Sequence, residues 1–311
     1  MKKLIRKILL GNIEITEYST ITIRGEIPEA AYLKAASKII NVSQNHWVFC
    51  LDPVTFGIWI ENNDEAKAIR TSNDLQLFFY TSNSKKKFLS ATATLKYFNK
   101  IEDEKGTLFL LRLVSSKLYH AGPIRMSILF NRYYKKPELT FEYYKSLVTA
   151  YSYPRRVRII SFKEENYFNI FPMDLLGELS DCNKYIFGLR HTNTTLAKII
   201  QTGKVVVSEI SSEHKKIIYQ LGKHHSSSPP SLSLLPFKTI PTKQFDFPIP
   251  EWTERYKEIR IIKTINLGSH MLMWGEVVHE EILKPSSPHL YHIHFLQYFF
   301  QHAKGFVHEL V

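Results

Sequence analysis

The sequence predicts a mainly β protein with helices, an α+β fold. Alternating and β-branched runs typical of strands recur in its first half, at residues 13–23, 47–60, 75–80 and 108–114. Of the 311 residues, 44% are hydrophobic and only 12 are glycine, which is enough apolar material for one large or two ordinary domains. The chain is therefore expected to be globular rather than disordered.

Three helices are predicted in the same half. Apolar residues have helical spacing at 28–40, and a second helix is predicted at 85–97. A third, at 138–150, begins after Pro137, where a helix start is tolerated. We predict a domain boundary near residue 150, where this third helix ends.

The second half of the chain has a different pattern. A helix at 195–202 is expected to end at Gly203, a residue typical of helix C-termini. The Ser- and Pro-rich residues 222–237 are expected to form a loop. Strands are predicted at 157–162, 167–171, 185–189, 204–209, 259–267 and 271–280, the last two joined at Gly268-Ser269-His270.

The net charge favours anionic partners. Forty-one Lys and Arg against 29 Asp and Glu give +12, which suits phosphate-bearing cofactors, nucleic acid or anionic lipid without choosing among them. Residues 132–158 interleave tyrosines with basic residues, a composition that can bind single-stranded nucleic acid. A tyrosine-rich amphipathic helix that joins two domains is the favoured interpretation of this segment.

Cysteine usage and the first residues predict a cytoplasmic protein. Cys50 and Cys182 are far apart and form no CxxC pair, so a reducing compartment is expected. The basic start is similar to that of a signal peptide, but Arg6 and Lys7 interrupt its apolar stretch, which stops at Gly11. Because no run reaches the about 20 apolar residues of a membrane span, no membrane association is expected.

Four segments of the second half carry a family resemblance. Residues 153–157 (YPRRV) are followed by 169–174 (NIFPMD), similar to N-x-x-P-x-S, and by 195–203 (TLAKIIQTG), similar to T-L-x-N-I-x-x-T-G. Residues 268–277 (GSHMLMWGEV) are similar to a G-D-H turn followed by G-E-V. In this order the segments resemble the flavin reductase family, whose members bind FMN on a split β-barrel.

The resemblance covers about residues 153–282 and implies both a fold and an activity. It implies an FMN-binding split barrel in the C-terminal half, with hydride transfer from NAD(P)H to N5 of FMN. It also implies a homodimer with FMN at the interface. The predicted division is an N-terminal α+β domain at 1–150, the split barrel at 151–285, and an aromatic, histidine-rich tail at 286–311.

The resemblance also implies the site residues. One group of five would lie along the flavin: Asn169, Phe171, Pro172, Met173 and Asp174. A second group would hold the phosphate: Arg190, Thr194, Thr195 and Lys198. A guanidinium suits phosphate oxygens, and the helix that begins near Thr195 offers free N–H groups. His270 would lie on the substrate side of the flavin as the candidate catalytic residue.

Each assignment has a plainer alternative. Thr194 or Thr195 can cap the helix without a ligand, Lys198 can be an exposed helix lysine, and His270 can be a structural histidine. Asp174 stands where the family has Ser or Thr, and its carboxylate would repel a phosphate unless Lys198 or screening offsets the charge. The alternative function is therefore a non-catalytic split barrel with a decayed flavin site, used for dimerisation or ligand binding. Nucleic-acid binding is less favoured.

Two further segments carry weaker signals. Residues 77–98, with Ser84 and Lys85 in a loop, are similar to pyridoxamine-oxidase-like split barrels, which would make the N-terminal half a second, degenerate barrel. A generic strand followed by a helix explains this segment equally well. In the tail, a His-x-His pair on a strand places both rings on one face, but no carboxylate or cysteine completes a metal site. No metal is expected, and the tail is expected to pack on a barrel or across a dimer.

Overall fold

The computed structural model describes residues 18–23, 26–82, 87–119, 122–165, 167–222, 229, 231–303, 305 and 308–310. The basic start of the chain and the predicted loop residues Ser84 and Lys85 lie outside these ranges. Two seven-stranded sheets, one four-stranded sheet and a two-stranded ribbon account for the strands. Together with six helices they confirm the predicted mainly β, α+β class.

The described residues of the first half form one complete seven-stranded sheet, one strand of the four-stranded sheet and three α-helices. Its strands are β1 (Tyr18–Ile23), β2 (Glu29–Ala35), β3 (Lys38–Asn41), β4 (His46–Leu51), β5 (Val54–Ile60), β6 (Leu75–Ser82), β7 (Lys87–Asp103) and β8 (Gly106–Leu118). Its helices are α1 (Asn63–Thr71), α2 (Pro123–Leu129) and α3 (Phe141–Ala150). Strands β2 to β8 form the N-terminal sheet, in the order β3-β2-β6-β7-β8-β5-β4 with antiparallel pairing throughout.

Two of the predicted helices in this half are wrong. Residues 28–40 form the hairpin of β2 and β3, and the described part of 85–97 belongs to the long strand β7. In both segments the buried residues alternate, as Ala31 and Leu33 do in β2 and Ala91 and Ala93 do in β7. Each strand gains hydrogen bonds along its length from β6, which outweighs a local helical spacing.

The predicted helix before residue 150 is confirmed, with a later start. Helix α3 begins after Thr140, whose hydroxyl accepts a hydrogen bond from the N–H of Tyr143 at 3.1 Å. Such a cap satisfies one of the free N–H groups at the start of a helix. The helix ends at Ala150, and the strand pattern of the second half begins five residues later.

The second half contains the remaining elements. Its strands are β9 (Arg155–Arg156), β10 (Arg158–Glu164), β11 (Tyr167–Met173), β12 (Leu176–Leu179), β13 (Lys184–Arg190), β14 (Lys204–Glu209), β15 (Thr239–Pro241), β16 (Pro248–Pro250), β17 (Arg255–Asn266), β18 (His270–Ile282), β19 (His289–His294) and β20 (Glu309–Leu310). Its helices are α4 (Leu196–Thr202), α5 (Lys215–Leu221) and α6 (Phe295–Ala303). All six predicted strands and the helix ending at Gly203 are present.

The C-terminal sheet rolls into the split barrel that the resemblance implied. Its order is β11-β10-β14-β17-β18-β13-β12, and every pairing is antiparallel. The two edge strands, β11 and β12, contribute Met173 and Leu176 to the same core as central residues such as Val207. A sheet whose edges meet at one core is curled around it, and the gap between β11 and β12 leaves the barrel open.

The tail joins the two halves. Strand β19 pairs with β1 on one side and with β9 on the other, and β20 adds to β1. Helix α6 carries Phe295 and Leu296 into a cluster with Tyr144 of α3. The tail therefore packs inside the chain, and the predicted boundaries at 150 and 285 remain predictions.

A shared apolar layer packs the N-terminal sheet against the barrel. Phe49 of β4 and Trp59 of β5 lie against Ile186, Leu272 and Trp274 of the barrel. The outer face of β12, β13 and β18 is thus covered by strands of the same chain. No helix in the described ranges has the length and apolar character that crossing a membrane requires.

Candidate functional site

A cleft opens where the N-terminal half meets the mouth of the barrel. It consists of two adjoining cavities of about 230 Å³ and about 550 Å³, which share Leu51 and Arg190 in their walls. Together they lie in the size range of small-molecule sites, about 300–1,000 Å³. We call this pair of cavities the cleft.

Three segments of the barrel bring sequence-predicted residues into the smaller cavity. The end of β11 and the turn after it supply one group, the end of β13 supplies Arg190, and the start of β18 supplies His270. Arg190 and His270 are direct partners in the register of β13 and β18, so sheet pairing holds them side by side. The predicted residues that line the cavity are Phe171, Pro172, Met173, Asp174, Arg190 and His270.

Arg190 is an exposed cation of the cleft, as is Lys136 in the wall of the larger cavity. It lies at the end of β13, where its side chain borders both cavities. Among the described residues it has no ion pair with a carboxylate. A guanidinium in this setting keeps its donors available for phosphate or carboxylate oxygens.

His270 is buried at the lip of the barrel, with 1% of its surface exposed. Its Nδ1 lies 2.8 Å from the hydroxyl of Ser269. The same turn contacts the N-terminal half, because the N–H of Ser269 donates to the carbonyl of Asp52 at 2.7 Å. The imidazole is thus held in a fixed position on the wall of the cleft.

The negative charge of Asp174 is balanced by its neighbours. Its side chain is 15% exposed, and its Oδ2 accepts a hydrogen bond from Nδ1 of His292 at 2.7 Å. Burial alone would raise the pKa of Asp174, but the hydrogen bonds from His292 and Tyr151 and the charge of Arg155 hold it below its ordinary value. On its other side, Nε2 of His292 contacts the hydroxyl of Tyr219.

Four predicted residues lie behind the cleft rather than in its wall. Thr195 is buried, and its hydroxyl contacts Nδ2 of Asn169 at 2.8 Å and the hydroxyl of Tyr167 at 2.9 Å. The hydroxyl of Thr194 lies 3.4 Å from that of Tyr167. Lys198 pairs with Glu164 at 2.9 Å, so its charge is offset there and not at Asp174.

The start of α4 is organised by a residue that the motif does not include. Oδ1 of Asn193 accepts from the N–H of Thr195 at 2.9 Å, and neither threonine hydroxyl caps the helix. Asn193 lines the cleft, as do several other residues that were not predicted, and three of these lie outside the barrel: Leu51, Tyr151 and His292. These come from β4, the end of α3 and the tail, and no local signal links such distant segments to the barrel mouth.

The other sequence signals have structural explanations. In the basic and aromatic segment, Tyr144, Tyr151 and Tyr153 are buried, so their rings are not available to stack on bases. His292 pairs with Asp174, while Nδ1 of His294 accepts from the N–H of Leu296 at 3.1 Å. Within the ranges the structure describes, no three potential ligands converge as a metal site would require.

Neither a family model nor a curated protein matches the chain. Solved structures similar to it include an FMN-binding protein from Thermus thermophilus, which is 19% identical in sequence. The match covers 42% of this chain and 71% of that protein, and its TM-score is 0.37. An NADH:FAD oxidoreductase from Streptomyces globisporus has 12% identity, covers 46% and 85% of the two chains, and has a TM-score of 0.42. A flavoredoxin from Methanosarcina acetivorans is 14% identical in sequence. The match covers 43% of this chain and 75% of the flavoredoxin, and its TM-score is 0.36. At these identities the likeness concerns the fold alone.

Proposed function

We propose that the protein binds FMN in the cleft and acts as an NAD(P)H:flavin oxidoreductase. The main support for this proposal is that residues predicted from separate segments lie around the same cavity. Six of the ten predicted site residues line one cavity: four from the 169–174 motif, His270 from the 268–277 motif, and Arg190 at the end of β13. Motifs that matched by chance would have no reason to meet there.

The residues divide into roles by chemistry. Bound flavin would supply the hydride acceptor, and the protein would bind and orient it. Phe171, Pro172 and Met173 offer an apolar wall, and Arg190 offers charge-assisted hydrogen bonds to the phosphate. His270 is placed to donate or accept a hydrogen bond on the substrate side.

The site can hold an anion despite Asp174. The carboxylate is engaged by His292 and Tyr151 and lies near Arg155, so little of its charge is left to repel a phosphate. Arg190 also borders the larger cavity, whose wall includes Lys136 and Glu138 but not Asp174. The phosphate is therefore assigned to the Arg190 side, away from the carboxylate.

The homodimer implied by the resemblance remains a prediction. The barrel face formed by β12, β13 and β18 is already covered by β4 and β5 of the same chain. A second copy would have to use another surface. The N-terminal half also supplies Leu51 to the cleft, so one chain can build both walls of the site.

The first test is absorbance in the flavin region, roughly 350–500 nm, before and after adding FMN, followed by anaerobic NADH or NADPH. The proposal expects saturable FMN uptake and bleaching by one of the nucleotides. No uptake at micromolar FMN would contradict it. Uptake without bleaching would favour the alternative, a non-catalytic barrel that retains a ligand site.

His270→Ala should slow the reduction of FMN and leave the affinity for FMN nearly unchanged. An equal loss of the reduction rate and of the affinity would show that His270 has a structural role.

Arg190 allows the phosphate assignment to be tested separately. Arg190→Ala should weaken FMN binding by about 10- to 100-fold, the effect of losing a charged hydrogen bond, and leave riboflavin binding unchanged because riboflavin lacks the phosphate. Arg260→Ala is the matched control, because Arg260 is also an exposed arginine but lies on a different strand, β17. Equal losses for FMN and riboflavin would place the phosphate elsewhere.

A further inference from the structure

A second cavity, of about 320 Å³, lies beside the cleft and shares only Asp174 with the smaller of the two cleft cavities. Its walls come from β4, from the chain that leads into β9 and β10, and from β12. Four arginines line it: Arg155, Arg156, Arg158 and Arg255. We call it the arginine cavity.

Three of these arginines have carboxylate partners. Nη2 of Arg158 donates to Glu178 at 3.0 Å, Nη2 of Arg156 lies 3.1 Å from Glu209, and Arg255 pairs with Glu280. These ion pairs balance the charge on their side of the cavity. The remaining arginine is different.

Arg155 is 4% exposed and pairs with no carboxylate among the described residues. Its guanidinium donates to the carbonyl of Ala150 at 3.0 and 3.2 Å and to the carbonyl of His46 at 3.4 Å. These bonds use three of the five N–H groups of the side chain. Burial lowers the pKa of Arg155 to about 10, which leaves it charged at neutral pH. Asp174 offsets part of this charge without forming an ion pair with Arg155, and a buried charge that lacks a paired counter-ion is stabilised when an anion binds beside it.

Other polar atoms in the wall are also unsatisfied. The hydroxyl of Tyr153 and the Nε–H groups of Arg156 and Arg158 are buried and have no hydrogen-bond partner among the described residues. Each such donor has lost its hydrogen bonds to water without gaining a partner in the protein, which is unfavourable. Unpaired donors therefore occur around one cavity, whose wall has four arginines and the three carboxylates of Asp174, Glu178 and Glu209.

His46 adds an acceptor to the same wall. Burial and the nearby charge of Arg155 lower the pKa of His46 to about 3, so the ring is neutral. Its Nδ1 donates to the carbonyl of Val42 at 2.7 Å, which leaves Nε2 without a proton and without a partner. A ligand that bears a hydroxyl or a protonated oxygen beside its anionic group would satisfy this atom.

We propose that the arginine cavity is a binding site for a small molecule with a phosphate or carboxylate group, held by Arg155, Arg156 and Tyr153. The cavity volume is enough for a group of this size together with a few further atoms. The site does not depend on flavin binding in the cleft. Through Asp174, its occupant would lie next to the candidate flavin.

The test uses flavin-free protein and follows the thermal midpoint and the heat of binding. Sodium phosphate and sodium acetate are titrated separately, with sodium chloride at matched ionic strength as the reference. Saturable stabilisation by either anion beyond chloride is expected, because a ligand that binds only the folded state raises its stability. The anion that saturates at the lower concentration identifies the anionic group. A response no larger than that to chloride would overturn the proposal.

Two variants locate the effect. Tyr153→Phe removes a hydroxyl that has no partner, so it should fold normally and bind the anion about tenfold more weakly. Its FMN affinity should match that of the wild type. Arg190→Ala, in the cleft, should keep the part of the anion response that Tyr153→Phe weakens. If Arg190→Ala abolished the response and Tyr153→Phe retained it, the anion would bind only in the cleft. The arginine cavity would then be rejected while the flavin proposal stood.

Discussion

Gly188→Ala is expected to destabilise the protein by about 3 kcal/mol or more, the upper range for overpacking a well-packed interior. A Cβ atom at this position of β13 would lie 1.8 Å from the backbone carbonyl oxygen of Phe49 in β4. A side chain could rotate away, but a backbone oxygen in a paired strand cannot. Relief would require the N-terminal sheet to separate from the barrel, which would expose the apolar layer around Phe49 and Trp274.

Urea unfolding of the variant measures this loss as a fall in the free energy of unfolding. Gly122→Ala is the control, because a Cβ there would meet no heavy atom within 4 Å. That change should cost less than about 1 kcal/mol. Equal stability of the two variants would show that the close approach between β13 and β4 does not hold the two halves together.

Glu178→Gln should remove stability in a pH-dependent way. Burial alone would raise the pKa of Glu178, but Arg158 and Lys257 outweigh it and bring the pKa to about 2. The difference from the ordinary value of 4.5 corresponds to about 3 kcal/mol of stability. Because the folded-state pKa is depressed, this stability is complete above pH 4.5 and is lost as the pH falls toward 2. A glutamine is uncharged and cannot balance Arg158 and Lys257, so the variant lacks this stability at every pH.

The measurement compares wild type and variant by urea unfolding at pH 7, 5, 4 and 3. The difference in the free energy of unfolding between wild type and variant should be about 3 kcal/mol at pH 7 and should become smaller below pH 4.5. Glu142→Gln is the matched control, because Glu142 also pairs with a cation, Lys145, but its side chain is 73% exposed. Such a surface pair contributes at most about 1 kcal/mol. If the loss of the free energy of unfolding in Glu178→Gln did not change with pH, the loss would come from altered packing and not from the charge of Glu178.

Six of the seven strands of the barrel sheet could be predicted because their periodicity is local, whereas the four-residue strand β12 was missed. Val205 and Val207 in β14 lie inside the barrel core, as an apolar run in a buried strand requires. The two failed helices show the limit of the same reasoning. The apolar spacing at 28–40 also fits a hairpin, and only pairing of β2 with β6, more than 40 residues away, selects the strand.

The site was predictable where motif residues lie on the barrel strands themselves. Arg190 and His270 are neighbours because β13 and β18 pair. Lys198 was less predictable, since its proximity to Glu164 depends on how α4 packs against β10. The partners of Asp174 were out of reach, because His292 comes from a tail 118 residues away and Tyr151 from the end of a helix.

The sequence alone determined the mainly β class, six strands of the barrel sheet and six of the residues at the mouth of the barrel. These features depend on periodicity and on short motifs within a few residues. The tertiary structure decided that the N-terminal half covers one barrel face and contributes Leu51 to the cleft. It also decided that the tail supplies His292 and that Arg155 is buried without a carboxylate. These contacts depend on packing between distant segments, for which local patterns carry no information.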